Sequence, residues 1–134
     1  MQSPNFIPSR PITALAAALL LLALPNLVGA HHSFAMFDKS HTVTIVGTIK
    51  SIEWTNPHVF IFLDVKDDSG AVAEWRVEGN SPNMLVRTGW KREMIKSGDQ
   101  LTVNGAPERN GAKVLRLITL TLANGQKYDG QGFK

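Results

Sequence analysis

Two adjacent histidines, His31 and His32, directly follow an apolar leader, and their imidazole nitrogens are potential metal ligands. If a signal peptidase cuts after Ala30, His31 gains a free α-amino group beside its own imidazole and that of His32. Such a compact set of nitrogen donors suits Cu(II) or Ni(II), and copper binds more tightly in the usual order of affinities. The pattern therefore predicts a copper site at the mature N-terminus. The alternative is that the histidine pair serves only in recognition or docking after cleavage.

Another histidine that could bind a ligand is His58, which ends a polar corner between two apolar stretches. Pro57 fixes its own φ and pushes Asn56 towards an extended backbone. Trp54, Asn56 and His58 would then bring an indole, an amide and an imidazole to one rigid bend. One interpretation is a small ligand pocket, and in the copper hypothesis His58 is a further metal ligand. The other is structural: Asn56 caps the turn and His58 hydrogen-bonds to the backbone.

Polar side chains also surround the start of a predicted short helix. Asn80, Asn83 and Arg87 lie there, and Asn83 and Arg87 would complete a ligand site if the helix start meets the corner that contains His58. His41 opens the first strand, about thirteen residues before Trp54, which is roughly 40 Å of fully extended chain. We therefore expect His41 to lie far from His58, and we assign it no role.

Motifs of the common enzyme classes are absent from the sequence. It contains no cysteine, no GxSxG, no Walker-type glycine loop and no HExxH. Four aspartates, Asp64, Asp67, Asp68 and Asp99, fall in or beside predicted turns, where carboxylates commonly bond to backbone amides. Acid–base catalysis needs a pair of groups with opposed roles, and the sequence suggests none. We therefore expect a protein that is not an enzyme and has no catalytic residues.

The first thirty residues have the pattern of an export signal. Arg10 precedes the apolar run Ile12–Leu24, and Val28-Gly29-Ala30 offers small residues for cleavage. The run of about thirteen residues is shorter than the ~20 that span a bilayer, which favours cleavage after Ala30 over a membrane anchor. The predicted product, residues 31–134, is a single exported, periplasmic domain without stable membrane insertion.

Residues 42–54 predict a long first strand that changes face midway. Val43, Ile45 and Ile49 share one face of the strand, whereas the apolar positions further on, Ile52 and Trp54, are even-numbered. Because side chains alternate along a strand, this change predicts a bulge or bend near Lys50 and Ser51. A strand that changes face can belong to two sheets, as the first strand of a small closed barrel does.

The remaining elements complete a recognisable order. Ser81 as N-cap and Pro82 as first helical residue predict a short helix, which lies between the third and fourth strands. Three strands, a helix and two strands is the order of the OB-fold. The predicted fold class is mostly β: a small five-stranded OB-like barrel with one short helix between strands 3 and 4. A β-sandwich is the alternative, although about five strands is few for one. The strands after the first are predicted at 58–65, 71–78, 100–106 and 113–123.

Two terminal segments flank the predicted barrel. The arm at residues 31–40 contains Phe34, Met36 and Phe37. These side chains are too apolar for a free tail, so we expect the arm to dock on the barrel. The polar tail at residues 126–134 is expected to fray and remain flexible.

Several stretches resemble a family of bacterial exported proteins of unknown function, DUF6152. The most specific are the Trp-Thr-Asn-Pro-His corner and the segment from Ser81 to Trp90, and the likeness covers nearly all of residues 31–134. The resemblance implies a small exported β-barrel. It implies no activity, so function must be argued from the residues.

The charge balance limits the choice of partners. The formal net charge is only +3, and basic residues are scattered among acids. Nucleic-acid binding needs a basic stripe, so we exclude it. The sequence favours a non-enzymatic binding module for a small molecule or an envelope protein, with Trp54, Asn56, His58, Asn83 and Arg87 at the ligand. The alternative is a copper-binding protein that uses His31, His32 and His58.

Overall fold

Residues 35–130 are described by a computed structural model, and their longest strand, β1 (Val43–Trp54), pairs with two neighbours. Its first half pairs antiparallel with β4 (Gln100–Pro107), and its second half pairs with β2 (Val59–Lys66). The register with β2 shifts between Ile49 and Ser51. The predicted bulge is thus confirmed, and it bends β1 so that one strand serves both sides of the barrel.

A parallel pairing closes the barrel. β3 (Val72–Glu78) pairs antiparallel with β2, and its last three residues pair parallel with the start of β5 (Val114–Leu122). β5 also pairs with β4, so the five strands form a ring. The predicted OB-like barrel is confirmed, and the β-sandwich is excluded.

The short helix lies between β3 and β4, where the sequence predicts it. α1 (Pro82–Arg87) begins after Ser81, whose side chain accepts a hydrogen bond from the Met84 amide. Leu85 is its one buried side chain, and it packs into the barrel core. A 3₁₀ turn, Arg92–Met94, follows before β4.

Apolar side chains from all five barrel strands and the helical connection fill the interior. Burial of this kind contributes about 25 cal/mol per Å² of apolar surface, and the barrel has no disulfides to add to it. The buried side chains of this cluster are Ile45, Ile49, Val59, Ile61, Leu63, Val77, Leu85, Trp90, Ile95, Leu101, Val103, Leu115, Leu117 and Leu120.

The N-terminal arm docks on the barrel within its described part, residues 35–40. Phe37 is buried against Ala106 and Val114, in a small cluster separate from the main core. The Asp38 amide donates to the Pro107 carbonyl at 2.8 Å, which fixes the arm along the end of β4. The docking prediction is confirmed for this part, whereas Phe34 and the rest of the arm lie outside the described residues.

The structure corrects the prediction that the polar tail at residues 126–134 frays. β6 (Lys127–Asp129) pairs with β5 after a tight turn at Gly125, so these residues do not fray. The Trp90 indole donates to the Asp129 carbonyl at 2.8 Å, and the Gly130 amide donates to the Ile118 carbonyl at 2.9 Å. These long-range bonds order a segment whose polar composition alone predicts fraying. Residues 131–134 lie outside the described part.

Among residues 35–130, no helix is long and apolar enough to cross a membrane. The predicted signal peptide, residues 1–30, and its cleavage after Ala30 lie outside the described residues and stay predictions.

Candidate functional site

A buried arginine lies where the parallel pairing of β3 and β5 closes the barrel. We call this pairing the seam. The β3–β5 register sets Arg116 opposite Glu78, and Arg116 Nη1 donates to Glu78 Oε1 at 3.0 Å. The two side chains are only 8% and 11% exposed. Burial lowers the pKa of Arg116, while the Glu78 carboxylate favours the charged form. The guanidinium nevertheless stays protonated, because arginine does not lose its proton in proteins.

The loop that follows β3 holds the guanidinium in place. The Gly79 carbonyl accepts from Arg116 Nη1 at 2.6 Å, and Asn80 Oδ1 accepts a short hydrogen bond from Nη2. Asn80 in turn donates through Nδ2 to the Gly130 carbonyl at 3.1 Å. Arg116 is therefore oriented by three acceptors on one short stretch of chain, and Gly130, which directly follows β6, is tied to the same stretch.

His58 packs against this arginine cluster from the start of β2. Its Nδ1 lies 3.1 Å from the Gly79 carbonyl and 3.3 Å from Arg116 Nη1. A carbonyl only accepts, so the bond to Gly79 requires the proton on Nδ1, and the approach of Nη1 is then a contact without a hydrogen bond. His58 Nε2 is 3.7 Å from Glu78 Oε1. The bond to the backbone agrees with the structural interpretation of His58.

A cavity of about 370 Å³ opens beside Arg116. The arm forms one wall, α1 and the loop before it form another, and β4 and β5 form the floor. Most of the lining is apolar, and its polar groups are two cationic side chains and one amide. The lining residues are Phe37, Lys39, Asn80, Met84, Ala106, Arg116 and Ile118.

The structure distributes the predicted ligand residues over several places. Trp54 packs partly buried against the barrel core, and Asn56 is exposed. His58 joins the arginine cluster, whereas Asn83 and Arg87 are exposed on α1. Within residues 35–130, no hydrogen bond or ion pair joins Asn83 or Arg87 to the corner at His58. These five residues are thus not assembled into one pocket, and their ligand role stays a prediction.

Of the three predicted copper ligands, only His58 lies within the described residues. Its neighbours are a carbonyl, a carboxylate already bonded to Arg116, and the guanidinium itself, and a nearby cation opposes binding of a metal ion. In the described part of the chain, no group of three or more histidine, cysteine or acidic side chains could hold a metal. His31 and His32 lie outside that part, so the N-terminal copper site stays a prediction.

The sequence alone does not predict the role of two residues in this cluster, Glu78 and Arg116. Strand alternation predicts that Glu78 points outward, but Glu78 is buried because β5 covers the end of β3. Arg116 is a single charge between Leu115 and Leu117 in an apolar strand. That isolation is the available signal, because a charge inside a strand paired on both sides needs a buried partner.

Fold and site together define a small OB-like barrel with a preformed cavity beside a buried ion pair. The chain belongs to a family of unknown function, DUF6152, whose model matches residues 18–115. The matched range includes His58, Glu78 and Asn80, and it ends one residue before Arg116. No curated protein and no solved structure matches the chain.

Proposed function

We propose that the protein is an exported, non-enzymatic binding module and that the cavity beside Arg116 is its ligand site. The observation that carries the proposal is the cavity itself: about 370 Å³, mostly apolar, with a polar end whose arginine is already held in place. Small-molecule sites typically measure about 300–1,000 Å³ and combine apolar walls with a few fixed polar groups.

The shape of the site favours a small molecule over an envelope protein. The lining residues come from the arm, the loop before α1, α1 itself and two strands, so they surround a recess. A protein partner would need a surface of about 800 Å² on each side, whereas a recess of this size holds a small ligand. Export is supported by the apolar leader and its small-residue cleavage pattern.

Two tryptophan variants on α1 test the site. Met84 lines the cavity, and Val86, two residues further along α1, is exposed and does not line it. We expect Met84→Trp to fill the cavity mouth and weaken binding of 1-anilinonaphthalene-8-sulfonate, a small amphiphilic probe, at least tenfold. Val86→Trp adds the same ring to the same helix and should leave the affinity unchanged. Both affinities are measured by titration calorimetry on the purified protein.

Circular dichroism melts of both variants establish that each is folded before its affinity is compared. If the two folded variants bind the probe equally well, the cavity is not the ligand site and the proposal fails.

A further inference from the structure

We infer that the ligand of the cavity is a non-ionic amphiphile, with its apolar chain in the cavity and a hydroxyl-rich head, such as a sugar, in a second recess beside it. The inference rests on the proposed function, since it names the class of ligand for the same site. Two features carry it: the place where the second recess adjoins the cavity, and the hydroxyl groups that line this recess.

A bulge in β5 joins the cavity to the second recess. Asn104 and Gly105 are neighbours on β4, but they pair with Thr119 and Leu117. Ile118 is thus an extra residue without a partner on β4, and a bulge of this kind redirects a side chain. Ile118 lines both the cavity and a recess of about 470 Å³ on the exposed face of β1, β4, β5 and β6. One elongated ligand can therefore occupy both spaces.

Threonine hydroxyls dominate the lining of this second recess. Four threonines line it, and they are Thr44, Thr102, Thr119 and Thr121. Thr44 Oγ1 accepts a hydrogen bond from Asn104 at 2.9 Å. In the described part of the chain, the hydroxyls of Thr102, Thr119 and Thr121 have no hydrogen-bond partner. Because a hydroxyl both donates and accepts, these groups complement a ligand head that carries several hydroxyls of its own.

The charge of the recess favours an uncharged head. Among the described residues that line it, Lys127 is the one charged side chain. Lys127 is exposed, so water and salt screen its attraction for an anion. An ionised head would also give up strong hydration for contacts with neutral hydroxyls, whereas a hydroxylated head exchanges one neutral hydrogen bond for another.

The two volumes set the size of the ligand. At roughly 30 Å³ for a water-sized group, the cavity of 370 Å³ holds about twelve non-hydrogen atoms and the recess of 470 Å³ about fifteen. Phe37, Met84 and Ala106 offer aromatic and aliphatic surface to the chain. An unbranched chain of about eight carbons and one hexose fit within these limits. Octyl glucoside is a probe of this composition.

Three probes with the same chain test the inference by titration calorimetry: octyl glucoside, octanol and octyl sulfate, each below the concentration at which it aggregates. We expect octyl glucoside to bind about tenfold more tightly than octanol, because each neutral hydrogen bond of the head adds a few-fold in affinity. Octyl sulfate should bind no more tightly than octyl glucoside. Tighter binding of octyl sulfate would show that the site selects an anion, and would overturn the inference.

The variant Thr121→Val tests the recess. Valine keeps the branched shape and the strand preference of threonine but has no hydroxyl. We expect octyl glucoside to bind about fivefold more weakly, whereas unchanged octanol binding shows that the variant is folded.

Thr48→Val is the matched control for Thr121→Val. It removes a hydroxyl from an exposed position of β1 that lines neither space. The affinity for octyl glucoside should therefore be unchanged in this variant. An equal loss in the two threonine variants would show that the recess does not hold the head, and would overturn the inference.

The Met84→Trp variant separates failure of this inference from failure of the proposed function. If octyl glucoside and octanol bind equally and Met84→Trp weakens both, the cavity is the ligand site but the recess takes no part. If Met84→Trp weakens neither probe, the proposed function fails as well. The inference is supported only if octyl glucoside binds more tightly than octanol, Thr121→Val reduces that advantage and Met84→Trp weakens its binding. No detectable binding of octyl glucoside would overturn it.

Discussion

Two ion pairs of this barrel have similar chemistry and very different surroundings. Lys50 Nζ lies 2.5 Å from Glu74 Oε2, with 57% and 47% of the two side chains exposed. Arg116 lies 3.0 Å from Glu78, with 8% and 11% exposed. The shorter pair is the one in water, where solvent and salt screen the attraction and side-chain entropy opposes it.

The comparison shows that the surroundings of an ion pair matter more than its length. Breaking a buried pair leaves a charge without water or partner, which costs far more than the pair itself contributes. The buried pair also shares its arginine with Gly79 and with Asn80, and Asn80 lines the cavity. Loss of Glu78 should therefore disturb both stability and binding, whereas loss of Glu74 should lower stability only slightly and leave binding unchanged.

The largest expected effect is that of Glu78→Gln. The glutamine keeps an acceptor but removes the negative charge, so the buried Arg116 loses the carboxylate that favours its charged form. We expect the free energy of unfolding to fall by about 3–5 kcal/mol, measured by urea melts. The double variant Glu78→Leu, Arg116→Met should recover most of this loss, because apolar replacement of a buried pair is often close to neutral. A loss below about 1 kcal/mol in Glu78→Gln would mean that the pair behaves like an exposed one.

An intermediate effect is expected for His58→Ala. The variant removes the bond from Nδ1 to the Gly79 carbonyl but leaves the ion pair intact. One such bond contributes about 0.5–1.5 kcal/mol to the free energy of unfolding. His41→Ala is the control, because His41 is 58% exposed beside Asp38 and its loss should change little. Equal melting curves for the two variants would show that the Gly79 bond contributes nothing.

The smallest effect is expected for Glu74→Gln, and its pH dependence tests the exposed pair. The hydrogen bond to Glu74, and then its charge, raise the pKa of Lys50 above 10.5. The stabilisation is therefore complete below pH 10.5 and is lost as pH rises through the raised value. We expect a small decrease in melting temperature at pH 7, and none once Lys50 has lost its proton. A difference that persists at that pH would have to come from another cause.

Most of the fold follows from local sequence signals. The change of face after Ile49 predicts the bulge, and Ser81 with Pro82 predicts the start of α1; both are confirmed. β6 is different, because its single strand-favouring residue, Tyr128, lies between two charged residues and gives too short a pattern to predict a strand. Its residues are ordered by Trp90 and by pairing with β5, and no local pattern reveals these partners.

The cavity is less predictable than the fold for a similar reason. His58 is recognisable beside Pro57, but its neighbours depend on a parallel pairing between strands that are distant in sequence. Asn80, rather than Asn83 further along the same segment, borders the cavity. Which of two nearby asparagines does so depends on where the loop after β3 crosses β5, and spacing alone does not determine that crossing.

The parallel seam also affects the order in which the chain folds. The hairpin of β2 and β3 joins neighbouring segments, whereas Glu78 and Arg116 are separated by 38 positions. Contacts between distant segments carry a larger loop-closure entropy and form more slowly. The seam should therefore form late, after the local hairpins. Because Asn80 and Arg116 meet only across that seam, we expect a chain with only its local hairpins formed to have strands and turns but not the cavity beside Arg116.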